Sequence, residues 1–193
     1  MRRKIVLIAN ISLDGYFEGP DHDLGWSRVD DELLTHFNRE LARMGGFVSG
    51  RRTHELMAAF WPTADQDPGA DDTVREFAAL WRGMPKTVFS RTLDRADWNT
   101  TVVREVTPET VAALTAGPGG DLSLSGGELA ESFLAQDLVD GFRIYVHPVV
   151  LGGGTLLFRP TGHPVPLALL DTHRFTSGVT LLHYTRSSPS PLD

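Results

Sequence analysis

The chain has 193 residues, 41% hydrophobic and 22% charged, with no cysteine and a formal net charge of −7. This fits one globular domain with a core large enough for an enzyme, and the missing thiols exclude disulfides, thiolate zinc sites and a cysteine nucleophile. The acidic balance argues against a broad nucleic-acid surface, and no apolar run reaches the roughly 20 residues of a membrane span, so we read a cytoplasmic protein with neither partner.

The opening strand is KIVLIANIS at 4–12. In the DGYFEGPDHDLGW that follows, Gly15, Gly19, Pro20 and Gly25 break regular structure and predict a long loop over 14–25, of the kind that serves as a lid. Leu33, Leu34, Phe37, Leu41 and Met44 follow helical spacing and predict a helix over 31–44, with Asp30 or Asp31 as its cap. A buried strand at 46–49 feeds a helix in GRRTHELMAAF, and a further helix falls at 72–82. Strands at 86–90 and 102–106 precede TPETVAALTAG, a helix with Thr107 as cap and Pro108 in its first position. LSLSGGELAESFL at 122–134 begins as a strand and continues as a helix, and a long strand is predicted over 138–152. The last ordered element is a hairpin turning at 176–178, and SSPSPLD at 187–193 reads as a tail without fixed structure. Short apolar strands alternating with helices predict an α/β domain over 1–186 with a largely parallel sheet.

Three strand ends share a design in which Gly, Ser or Arg opens the next element: residues 50–53, 90–92 and 125–129. At the carboxyl end of a parallel strand, the first amides of the following helix point outwards and the helix dipole attracts an anion. Gly126 and Gly127 either let a pyrophosphate approach those amides or only let the helix pack close to its strand. Arg51 and Arg52 are either phosphate ligands or solvated helix residues. Three such ends on one sheet edge favour the ligand reading. The dinucleotide fingerprint G-x-G-x-x-G and the phosphate loop ending in Gly-Lys-Ser/Thr are both missing, which argues against a standard Rossmann domain or NTPase.

The ordered series SLDG (12–15), GRRT (50–53), KTVFSRTL (86–93), GGDLSLSGGELA (119–130) and PVVLGGG (148–154) resembles the dihydrofolate reductase-like superfamily. Within it the chain is most similar to stand-alone proteins related to the C-terminal reductase domain of the bifunctional riboflavin-biosynthesis deaminase-reductase. The resemblance implies a three-layer α/β fold with a central mixed, mostly parallel sheet of about eight strands flanked by helices. It also implies NADPH as cofactor, a small-molecule substrate and a homodimer built through the C-terminal strands.

Carried over by position, the resemblance gives Gly50, Arg51, Arg52 and Thr53 to the cofactor phosphates. Ser90, Arg91 and Thr92 match the strand end that holds the adenosine part, where an arginine pairs with the additional ribose phosphate of NADPH. Ser125, Gly126, Gly127, Glu128 and Leu129 match the turn under the pyrophosphate. Ala9 matches the residue whose backbone faces the nicotinamide, and residues 14–25 match the mobile loop over that ring.

Departures from the pattern matter as well. The carboxylate that dihydrofolate reductases carry on the first helix falls at Leu34, so folate reduction is not expected, because leucine relays no proton. Asp14 is the acid candidate near the nicotinamide, or a turn-forming aspartate before glycine. Asp31 and Glu32 read as helix-capping acids. No metal is expected at Asp21, His22 and Asp23, since adjacent residues rarely converge on one ion. His54 either approaches the phosphates or packs, His147 reads as structural, and Trp26 and Trp61 as cleft, core or rim residues. Two functions are carried forward. One is an NADPH-dependent reductase of a small heterocyclic or carbonyl substrate, of the 5-amino-6-(5-phosphoribosylamino)uracil reductase type. The other is a nucleotide-binding module without turnover, acting as a sensor or partner protein.

Overall fold

The computed structural model describes residues 2–159 and 163–187, so the tail expected over 187–193 lies, beyond Ser187, outside the described residues. Its centre is an eight-stranded sheet. The first strand, β1 (Ile5–Ser12), alternates Ile5, Leu7, Ala9 and Ile11 towards one face with Val6 and Ile8 towards the other. A strand apolar on both faces must be covered on both, and helices do this here. On one side lie α1 (Asp31–Leu41), α2 (Arg51–Phe60) and α3 (Asp72–Gly83), through Leu41, Met57, Phe77 and Trp81. On the other lie α4 (Pro108–Thr115) and α5 (Gly127–Leu134), through Val111, Leu129, Ala130 and Phe133.

The remaining strands are β2 (Tyr16–Glu18), β3 (Gly46–Gly50), β4 (Lys86–Phe89), β5 (Thr100–Val103), β6 (Leu122–Ser125), β7 (Gly141–His147), β8 (Thr155–Leu156), β9 (Leu167–Arg174) and β10 (Thr180–Arg186). The main sheet runs β5-β4-β3-β6-β1-β7-β10-β9, parallel from β5 to β7 and antiparallel at the last two pairings. This is the mostly parallel three-layer fold that the motif order implies. No helix among the described residues is long and apolar enough to cross a membrane.

Three elements differ from expectation. The strand expected over 138–152 ends at His147, because Pro148 carries no amide for a ladder and the following backbone binds Asp14 instead. The strand expected at 102–106 starts earlier, at Thr100. The 14–25 loop contains β2, which pairs with β8 in a separate two-stranded sheet. Three-residue strands lie below what alternation can reveal.

Candidate active site

The helices differ in how their first turns are closed. Asp30 caps α1, Asp71 caps α3 and Thr107 caps α4, each side chain accepting from the third helical amide. By contrast α2 and α5 start after Gly50 and Gly126, which offer no side-chain cap. Their leading amides therefore have no side-chain acceptor at the cap position. The strands before them, β3 and β6, are neighbours in register up to Ser49 and Ser125. The two helices then leave towards opposite faces, which opens a crevice at the carboxyl edge of the sheet.

Glycine is required in that crevice for a reason the geometry gives. Gly126 has φ of +97°, and a Cβ there would stand 2.7 Å from Thr53 Oγ1 at the start of α2. A Cβ on Gly127 would stand 3.1 Å from the Phe17 ring of β2. The turn after β6, the start of α2 and the lid strand thus meet at two positions without side chains. Glu128 is exposed, whereas Leu129 is buried in the core, so its part in the crevice is limited to its backbone.

Beside the crevice, the turn after β4 is held from within. Ser90 Oγ accepts from the amides of Thr92 and Leu93, at 3.3 and 3.0 Å, and Arg104 donates to the carbonyls of Ser90, Arg91 and Leu93. Arg51 donates to Thr92 Oγ1 at 3.2 Å, tying the start of α2 to this turn. The Arg91 side chain is exposed and makes no hydrogen bond or ion pair among the described residues. Arg52 reaches across to the lid, where its guanidinium is 3.3 Å from buried Glu18, which also takes His22 Nδ1 at 2.8 Å. His54 is not at the crevice; it is buried against Trp81.

Ala9 lies where β1 loses one neighbour. Pairing with β6 ends at Leu7, while pairing with β7 continues to Ser12, so the backbone from Ile8 to Asn10 is open on the β6 side. Asp14 follows directly, and its carboxylate accepts from the amides of Leu151 and Gly152 at 3.1 and 2.8 Å. The Ser12 hydroxyl, then these amides, hold its pKa at about 2. A carboxyl held so is ionised at neutral pH, and it ties the 14–25 loop to residues 148–154. Leu34 packs with the helices of its face and supplies no acid. Glu32 accepts from the Thr176 amide at 2.8 Å and ties α1 to the C-terminal hairpin; Asp30, not Glu32 or Asp31, is the cap.

A constellation not singled out from the sequence stands next to Ala9. Asn10 Oδ1 lies 3.0 Å from His147 Nε2, and the Trp26 indole meets the His147 ring edge-on at 5.4 Å. Trp61, by contrast, packs on Phe77. The available signal was Asn10 itself, a polar residue on the face that Val6 and Ile8 define in β1.

The profile of the RibD C-terminal domain family matches residues 3–181. The chain belongs to that family. Relatives of this chain include two Bacillus subtilis proteins of similar length. Uncharacterized protein YyaP is 33% identical over 95% of both chains, and uncharacterized protein YwjB is 30% identical over 97% of this chain and all of its own. Among solved structures, the putative riboflavin biosynthesis protein of Shewanella sp. PV-4 superposes with a TM-score of 0.76 at 23% identity, covering 97% of this chain and all of that one. The diaminohydroxyphosphoribosylaminopyrimidine deaminase/5-amino-6-(5-phosphoribosylamino)uracil reductase of Thermotoga maritima gives 0.65 at 14% identity, with 96% of this chain covering 57% of that one. Identities this low show the fold alone, which is that of the riboflavin-pathway reductases.

Proposed function

We propose that this protein is an NADPH-dependent reductase that transfers hydride to a small heterocyclic or carbonyl substrate, as a riboflavin-pathway-type reductase and not as a dihydrofolate reductase. One observation carries the reading: among the described residues, the two α-helices without side-chain caps are the two that flank the crevice at the sheet's switch point, and both have glycine at the cap position. Helix starts without a side-chain acceptor suit a dinucleotide pyrophosphate, and the close approach of Gly126 to Thr53 brings the starts of α5 and α2 together. Gly50 to Thr53 and Ser125 to Leu129 would hold the pyrophosphate. Arg91, with Arg51 and Thr92 beside it, would take the extra ribose phosphate, and the open backbone at Ala9 would face the nicotinamide. NADPH, when bound, supplies the hydride, and the protein orients it and excludes water.

Leu34 gives a second reading its support, a nucleotide-binding module without turnover. Consumption of NADPH, followed by absorbance against a panel of cyclic imines and small carbonyl compounds, separates the two. Turnover with any member supports the reductase, and tight NADPH binding with none consumed supports the module.

A homodimer belongs to the same proposal. All eight residues of edge strand β9 are exposed, including Leu167, Leu169 and Leu170 at 39%, 56% and 57%. An edge strand, paired on one side only with β10 among the described residues and carrying three exposed leucines, is suited to a second copy.

A further inference from the structure

The polar pair beside the open end of β1 has a tautomer fixed by its own contact. Asn10 Oδ1 accepts hydrogen bonds and donates none, so at 3.0 Å the His147 Nε2 must carry the proton. His147 is 2% exposed, and burial lowers its pKa, so the ring is neutral with Nδ1 as its acceptor. With its oxygen thus engaged, the Asn10 carboxamide has its Nδ2 protons left over, and these have no partner among the described residues.

The position of this pair bears on what those protons could meet. Asn10 follows Ala9 in the stretch of β1 that has lost its β6 neighbour, and His147 ends β7 in register with Ser12. Both side chains lie at the carboxyl edge. Against His147 stands Trp26, edge-on, its indole Nε1 donating to the Asp23 carbonyl at 3.1 Å. The result is one oriented amide donor beside an aromatic edge, a set that suits a small molecule bearing a carbonyl oxygen.

We infer that Asn10 binds the substrate's carbonyl oxygen through Nδ2–H and that His147 is the positioning residue that holds the Asn10 amide in that orientation. The inference rests on the reductase reading for its location, and it narrows the substrate to compounds bearing a carbonyl oxygen. A donor aimed at such an oxygen also stabilises the negative charge the oxygen gains on reduction.

The test uses the full-length protein saturated with NADP⁺, with 2-pyridone as probe and pyridine, which lacks the carbonyl, as control. Binding is read by quenching of tryptophan fluorescence, and nitrogen NMR of the histidine rings reports the His147 tautomer. We expect 2-pyridone to bind and pyridine to bind at least tenfold more weakly, with His147 protonated on Nε2. Asn10→Asp and His147→Phe should each weaken 2-pyridone by about tenfold, the worth of one hydrogen bond of about 1.4 kcal/mol. His147→Gln, which can still donate to the Asn10 oxygen, should retain most of the affinity. NADP⁺ affinity and thermal midpoint, measured on each variant, exclude a general loss of structure. If NADP⁺ does not bind the wild type, the reductase reading fails. If NADP⁺ binds but 2-pyridone does not, or if Asn10→Asp binds it as well as the wild type, the present inference is overturned.

Discussion

Gly126 concentrates the demands of the crevice on one residue. Its φ of +97° and the 2.7 Å approach to Thr53 leave a side chain no room without strain. Gly126→Ala should cost about 1–3 kcal/mol of stability in chemical denaturation. It should also weaken NADPH by at least about tenfold, because the displaced turn withdraws the leading amides of α5. Asp14 makes a prediction in pH. Its folded pKa of about 2 lies below the ordinary 3.8, so its contribution is complete above the higher value and is lost as the pH falls through the lower. In denaturation series the wild type should therefore exceed Asp14→Asn in stability near neutral pH, and the gap should close as the pH approaches about 2. At this scale the sequence read well wherever a residue type forces a backbone state, as at Gly126, Asp30 and Thr107. It could not show the contacts of Asp14, because the amides it accepts from belong to residues 151 and 152, far along the chain. The contact of His147 with Asn10 was out of reach for the same reason, since the two lie on different strands.

Among elements, helices and long strands were legible from periodicity and caps, and so was the 14–25 loop, but not the strand within it. Its strand β2 exists through pairing with β8 and through Gly154, where a Cβ would stand 2.1 Å from the Glu18 carbonyl. No local pattern announces such a contact. The start of β4 shows another long-range device. Lys86 is buried, its Nζ donating to the carbonyls of Met84 and Trp98 at 2.9 and 2.7 Å and lying 4.2 Å from the centre of the Trp81 ring. Burial draws its pKa down to about 8, still above neutrality, so the amine keeps its charge. Lys86→Met should retain the packing of the stem and leave both carbonyls unpaired, lowering stability by about 2 kcal/mol in urea denaturation.

For the whole molecule, the motif order reached the eight-stranded sheet because each motif sits at a strand end and strand ends share one edge. Assembly is where the chain offers a further expectation. Replacing both Leu169 and Leu170 by Lys should leave the fold intact and shift sedimentation from dimer to monomer, since a charged edge strand resists pairing. A wild type that sediments as a monomer at every concentration would remove the dimer from the proposal.

The proposed reductase requires the crevice between α2 and α5 to hold NADPH and Arg91 to select it over NADH. Calorimetric titration of NADPH and NADH into the wild type and Arg91→Ala tests it most directly. NADPH should bind the wild type more tightly than NADH. In Arg91→Ala the NADPH affinity should fall by about ten- to a hundredfold, with NADH unchanged, as expected for one charge-assisted pair of about 1.5–3 kcal/mol. Failure of the wild type to bind either dinucleotide, or equal affinities that Arg91→Ala leaves unaltered, would contradict it.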